Sequence, residues 1–273
     1  MSPDALRKAF VQAATKGKLP KAVIVVHLYG VVAKIGEIRH ICREFGVPLI
    51  EDAAESLGST WHGQMTGTIG DIGFYSFNGN KIITTSGGGM LMMPNEETKQ
   101  LALKLATQAR EDAPHYEHDQ VGYNYRLSNV SAGIGRGQLE VIEQRVQARR
   151  RVFARYERMF RQLGTTYQRE VPYSRANRWL TAMQLDQTEL HRDTLMQRLA
   201  TAGIESRPVW KPMHLQPVYR DAEYVTVDGE DVSRRLFKNG ICLPSGSDLT
   251  LVEQQQVIQT VLDTRSIVAE QSV

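Results

Sequence analysis

The stretch Glu51-Asp52-Ala53-Ala54-Glu55-Ser56-Leu57-Gly58, followed by Asp71-Ile72-Gly73-Phe74-Tyr75-Ser76-Phe77-Asn78-Gly79-Asn80-Lys81 and the triplet Gly87-Gly88-Gly89, decides how the rest of the chain is read. An apolar run ends in an acid, a glycine-rich loop through Gly63, Gly67 and Gly70 follows, a second apolar run reaches a serine, and a single lysine then stands among small and polar residues. Just upstream, Ala22 to Leu28 is a nearly unbroken apolar run ending at Tyr29-Gly30, as expected of a parallel strand covered on both faces. Ile35, Ile38, Ile41, Cys42 and Phe45 recur at helical spacing, and Gly46 with Pro48 stops that helix before a second buried strand, Val47 to Ile50. The resulting βαβ unit puts Asp52 at the carboxyl end of its strand, beyond which open α/β sheets bind their ligands. By residue type alone Asp52 could equally cap a helix over Ala53 to Leu57. Ser76 could be a plain strand-end hydrogen bonder, and Lys81 a solvated charge.

Composition bounds the alternatives. The chain has 273 residues, 41% hydrophobic and 23% charged, enough for one large domain or one domain with a smaller second. A net charge of +3 is too small to imply a nucleic-acid partner. Cys42 and Cys242 lie far apart without metal-type spacing, so free thiols in a reducing cytoplasm are expected. No basic stretch followed by an apolar one opens the sequence, and no apolar run approaches membrane-spanning length. A cytoplasmic protein without membrane or nucleic-acid partners is the expectation.

Elsewhere the signals are mostly structural. Ser2 and Pro3 start a helix, and Asn95 caps another through Ala109. His115 and His118 sit in a charged loop, Arg110 to Gln120, where solvated histidines are expected and no metal. Ser128 or Asn129 starts the longest helix, with Leu139, Ile142, Val146, Phe153, Tyr156, Phe160 and Leu163 on its apolar face until Gly164. Arg145, Arg149, Arg150, Arg151, Arg155, Arg158 and Arg161 stripe this helix; with Glu140, Glu143 and Glu157 interleaved, a solvated face is expected rather than a nucleic-acid surface. From about Tyr167 the texture changes to short strands, including Arg178 to Met183, and a helix from Glu189 to Ala202. Thr250-Leu251-Val252-Glu253 is a capping box opening the last helix. The expected division is 1–165 for a large domain with its long helix and 166–273 for a smaller α/β domain.

The order acid, hydroxyl, lysine suits a cofactor needing a carboxylate, a phosphate ligand and a covalent amine, as pyridoxal 5'-phosphate does. At these residues the chain resembles the DegT/DnrJ/EryC1/StrS family of pyridoxal-phosphate-dependent nucleotide-sugar aminotransferases, most of all those that aminate a nucleotide-linked 4-keto-6-deoxy N-acetylhexosamine. Gly122-Tyr123-Asn124-Tyr125-Arg126-Leu127-Ser128-Asn129, Arg207-Pro208-Val209-Trp210-Lys211-Pro212-Met213-His214 and Leu243-Pro244-Ser245-Gly246-Ser247 carry the resemblance further. It implies aminotransferase fold type I, a mostly parallel sheet flanked by helices. It also implies that Asp52 pairs with the pyridine nitrogen, Ser76 binds the phosphate and Lys81 carries the cofactor. Members working as dehydratases have histidine in place of that lysine, so Lys81 implies transamination. Glu55 falls where many relatives place glutamine or histidine beside the phenolic oxygen, and an acid there would repel the phenolate unless protonated or turned away. Asn124 matches an asparagine that reaches a partner's cofactor phosphate, implying a homodimer with shared sites. Arg178, Trp210 and His214 are the expected substrate residues, although Trp210 could equally be core. The expected reaction moves nitrogen from a donor such as glutamate to a keto sugar in surface-polysaccharide or glycan biosynthesis. Family members carry a further segment ahead of the position matching Met1 that completes the phosphate cup. Weak cofactor binding is therefore expected here, the alternative being a non-catalytic fragment.

Overall fold

The computed structural model describes residues 1–186 and 188–271. Helix α1 (Pro3–Thr15) leads into β1 (Val23–Val26), α2 (Ile35–Glu44) and β2 (Leu49–Asp52). A short hairpin of β3 (Thr60–Trp61) and β4 (Gln64–Met65) precedes β5 (Ile72–Ser76) and β6 (Gly89–Met92). β1, β2 and β5 run parallel with Val26, Asp52 and Phe74 side by side, and β6 closes the sheet antiparallel, pairing Gly89 with Ser76. The Ser2 hydroxyl accepts the Ala5 N–H, and Pro3 occupies the first turn, where no amide donor is needed. Phe10 of α1 stacks on Phe45 at 4.7 Å, and these helices bury Val25, Ile35, Ile38 and Leu49. Each such side chain contributes about 2 kcal/mol by leaving water.

β1 differs from its expected burial. Val23 and Val25 are buried, but Ile24 and Val26 are exposed, because α1 and α2 pack against the Val23 and Val25 face. The strand therefore alternates as one-sided sheets do.

Next come α3 (Glu96–Ala106), α4 (Asn129–Leu139) and α5 (Ile142–Met159). The Asn95 side chain accepts the Thr98 N–H at 2.9 Å as the cap of α3, which stops before Ala109 because Gln108 and Ala109 are left-handed. The expected single helix from Ser128 to Gly164 is two. Val141 leaves helical geometry (φ −110°, ψ 12°), so α5 turns Val146, Val152, Phe153 and Tyr156 inward while α4 buries none of its residues. Nor is the arginine stripe simply solvated. Arg149 is buried and donates to the carbonyls of Trp179 and Ser245, Arg150 donates to Glu170 and the Ala176 carbonyl, and Arg155 donates to the Leu251 carbonyl and Gln255. Strand and helix ends offer unpaired carbonyls, and guanidinium groups satisfy them.

The remainder holds β7 (Thr166–Tyr167), β8 (Ser174–Arg175), β9 (Thr181–Gln184), α6 (Arg192–Thr201), β10 (Arg207–Pro208), α7 (Val232–Asn239), β11 (Gly240–Leu243) and α8 (Leu251–Gln271). β10, β11, β9 and β7 form an antiparallel sheet, whereas β8 pairs with β3. Tyr156 and Phe160, from the end of α5, share a core with Met183, Leu195, Leu199, Ile241 and Ile258. The strand expected from Arg178 begins only at Thr181, because Arg178 itself is left-handed at φ 54°. The capping box forms as expected: Thr250 Oγ1 accepts the Glu253 N–H at 3.2 Å and Glu253 accepts the Thr250 N–H at 2.8 Å. Among the described residues no helix is long and apolar enough to cross a membrane, and no group of three His, Cys, Asp or Glu side chains could hold a metal ion. His115 pairs with Glu117, and the His118 ring bonds the Gln108 carbonyl.

Candidate active site

The strand ends that carry the site are fixed by a buried acid. Glu51 precedes Asp52 on β2 and so points to the opposite face. Its carboxylate accepts from His27 Nε2 at 2.9 Å and from the backbone N–H of Gly67 at 2.8 Å, and also from those of Ile69 and Gly70. His27 Nδ1 accepts the Ala33 N–H at 3.1 Å, which leaves the ring proton on Nε2. Burial opposes this charge, yet the His27 and backbone donors hold the carboxyl below the usual glutamate range. The glycine-rich loop is thereby pinned beneath the sheet. A Cβ on Gly73 would come within 2.0 Å of the Gly67 carbonyl oxygen, so the loop can lie this close only over glycine. Asp52 is left half-buried at the strand end, its Oδ1 taking the Ala54 N–H at 3.1 Å.

Glu55 lies buried in the following turn. Its Oε2 accepts the Tyr29 N–H, holding Tyr29 in a left-handed conformation (φ 56°), and its Oε1 stands 4.0 Å from Lys81 Nζ. Burial pushes the Glu55 carboxyl up to about 7; the Tyr29 N–H and Lys81 pull against this, and the Asp52 charge adds to it. Lys81 is far from a solvated surface charge: its side chain is only 12% exposed, and Nζ lies 4.5 Å from the centre of the Trp179 ring. The Trp179 indole donates to the Asn80 carbonyl at 2.8 Å. Asn80, Trp179, Trp210, Arg207, Ser245 and Gln256 are among the walls of an adjoining cavity of about 730 Å³.

The other expected residues fall in several places. Ser76 ends β5 and its hydroxyl accepts the Asn78 N–H at 3.3 Å. Trp210 donates its backbone N–H to the Tyr29 hydroxyl at 2.8 Å and packs edge-on against Tyr29 and Trp179. Asn124 bridges to Thr107 and lines a separate cavity of about 670 Å³ with Gly87, Gly88 and Gly89. His214 bonds Asp231 at 2.8 Å through Nε2 and stacks on Tyr224. The Arg178 guanidinium lies over Phe153 and donates to Glu170 and the Gln168 carbonyl. Thus Asp52, Glu55, Lys81 and Trp210 gather, through Tyr29 and Trp179, into one neighbourhood, while Arg178 and His214 are engaged in clusters of their own. Reading the sequence assigns Tyr29, Asn177 and Trp179 no place in the site. Their one signal was an indole and a phenol at the ends of apolar segments, which resembles ordinary core.

A strand-end acid, a shielded amine beside a second acid and a serine closing the next strand are the kinds of group that pyridoxal phosphate calls for. A model of the DegT/DnrJ/EryC1/StrS aminotransferase family matches residues 1–262, and the chain belongs to that family. Its fold is the fold type I of these pyridoxal-phosphate-dependent enzymes. It is 51% identical over 264 residues to EpsN of Bacillus subtilis (strain 168), named a pyridoxal phosphate-dependent aminotransferase, covering 96% of this chain and 68% of that one. To a GDP-perosamine synthase of Vibrio cholerae it is 38% identical, over 84% of this chain and 62% of that one. The crystal structure of a DegT DnrJ EryC1 StrS aminotransferase from Brucella abortus matches with a TM-score of 0.87 at 26% identity, over 97% of this chain and 70% of that one.

Proposed function

We propose that this chain transfers an amino group from an amino acid such as glutamate to the keto carbon of a nucleotide-linked sugar, in surface-polysaccharide or glycan biosynthesis. The observation that carries the proposal is the Lys81 amine, shielded between Glu55 and the Trp179 ring in the neighbourhood of the strand-end acid Asp52. Bound pyridoxal 5'-phosphate supplies the electron sink that stabilises a carbanion at the donor carbon. Lys81 would hold the cofactor through Nζ and, once free, its amine would take and return the proton at the donor's α carbon. Asp52 would keep a proton on the ring nitrogen, and Ser76 would take the phosphate. Burial pushes the Glu55 carboxyl up to about 7, toward its protonated form, which would ease the clash expected of an acid beside the phenolic oxygen.

Trp210, half exposed at the cavity wall, is placed to stack on sugar or base, with His214 holding its segment against α7 through Asp231, the cap of that helix. Arg178 is left out of substrate contact because its guanidinium is engaged with Glu170 and Phe153. Asn124 stands among exposed Tyr123, Tyr125 and Val130, which suits a homodimer whose partner's phosphate Asn124 reaches. The division at residue 165 follows the end of α5 and its short continuation. Buried free Cys42 and Cys242 suit a reducing cytoplasm. Relatives named GDP-perosamine synthase, and one named UDP-2-acetamido-2-deoxy-3-oxo-D-glucuronate aminotransferase in Pseudomonas aeruginosa, support the substrate class.

The test is an absorbance spectrum with added pyridoxal phosphate, then borohydride reduction and peptide mapping. Wild type should show a visible band and carry the label on Lys81, and Lys81→Ala should lose both. Label scattered over surface lysines would refute the assignment.

A further inference from the structure

Two residues from the carboxyl-terminal half, Asn177 and Trp179, grip both sides of the site. Asn177 Nδ2 donates to the carbonyls of Glu55 at 2.8 Å and Leu57 at 2.9 Å, in the turn that follows Asp52. Its Oδ1 accepts the Trp179 N–H at 2.8 Å, and its own N–H donates to Ser59 Oγ at 2.9 Å. Trp179 then reaches the other side: its indole N–H donates to the carbonyl of Asn80, the residue before Lys81, and its ring face lies against Lys81 Nζ. Asn177 and Trp179 are both buried, so each of these bonds satisfies a group that water does not reach. Arg178, left-handed between them, turns its own side chain out to Glu170 and Phe153. Gly30 leaves room for the arrangement, since a Cβ there would come within 1.7 Å of Asn177 Oδ1.

The geometry points to Asn177 and Trp179 as positioning residues that set the Lys81 amine against the Asp52–Glu55 turn, with the Trp179 ring face shielding that amine until a carbonyl compound reaches it. This rests on Lys81 being the cofactor-binding amine. The buried indole face occupies one side of the amine and so restricts how a reagent can approach it. The bond to Asn80 aims the segment that carries the amine. The bonds to Glu55 and Leu57 fix the height of the opposing turn. Other ionisable groups facing this space are Glu55, 4.0 Å from Nζ, and, around Glu55, Asp52, Tyr29 and Cys242.

Reductive methylation with formaldehyde and cyanoborohydride reads the reactivity of each lysine amine without the cofactor. The rate at Lys81 is followed by peptide mapping. Trp179→Leu removes the ring face that covers the amine and should raise the Lys81 rate about fivefold to tenfold, while Lys16 and Lys34 stay unchanged. Trp179→Phe keeps a ring face and should hold the rate within about twofold of wild type, while lowering the yield of pyridoxal phosphate trapped on Lys81, because the tie to Asn80 is gone. An unchanged Lys81 rate in Trp179→Leu overturns the inference. Should that variant accelerate every lysine, showing that it has unfolded, Asn177→Ser decides: it frees the Glu55 turn and should raise the Lys81 rate about threefold or more, and no change overturns the inference. Methylation requires no cofactor, so a trapped label on another lysine would refute the proposed function and leave this outcome separate.

Discussion

Glu55→Gln should flatten the pH dependence of stability, and the size of the change follows from the burial of the carboxyl. Glu55 is 5% exposed, and its pKa rises from the ordinary 4.5 to about 7 on folding. Each tenfold change in proton affinity is worth about 1.4 kcal/mol, so the rise corresponds to about 3 kcal/mol between the fully protonated and fully ionised limits. The folded state holds this proton more tightly than the unfolded chain. The stability it contributes is therefore fully present below about pH 4.5 and is lost as pH rises through about 7. Between about pH 5 and about pH 8 the wild type should lose about 2.5 kcal/mol from this group alone. A glutamine carbonyl can still accept the Tyr29 N–H, and it carries no charge. Urea titrations at several pH values should show the wild-type and Glu55→Gln curves converging near pH 5 and separating by about 2.5 kcal/mol near pH 8, with the variant the more stable. Parallel curves would refute the account, because the carboxyl would then titrate alike in folded and unfolded chains.

Two further outcomes follow from the buried contacts. Glu51→Gln removes the charge that His27 and three backbone amides hold, and should cost about 3 kcal/mol or more in urea denaturation, whereas Glu44→Gln, at the exposed pair with Arg7, should change stability little. Equal losses in the two variants would count against the pinning role of Glu51. Gly30→Ala places a Cβ against Asn177 Oδ1 at a backbone φ of 82°, and should lower the melting temperature sharply by a loss of about 3 kcal/mol or more; a wild-type melting curve would contradict the close approach.

Much of the site could be read from residue order. Asp52 closes an apolar run, Ser76 closes the next and Lys81 follows, and strand ends are recognisable wherever an apolar segment meets polar residues. Helix caps at Ser2, Asn95 and Thr250 were equally legible, because each is a bond between residues three apart. The break at Val141 was hidden, since the apolar repeat continues across it while the backbone turns. Arg178 looked like a ligand for the same reason that any cation near a substrate segment does. Only its left-handed backbone and its bonds to Glu170 show that the side chain faces elsewhere.

The sequence by itself therefore determined which strands end in chemistry-bearing groups, the cofactor class those groups suit and the family, through local spacing and motif order. Tertiary structure alone decided the environment of the amine. Trp179 meets Asn80 across 99 positions and Asn177 meets Glu55 across 122, separations at which no periodicity survives. Whether an acid is protonated or a lysine shielded depends on what has displaced the water around it, and that is a property of packing between distant segments.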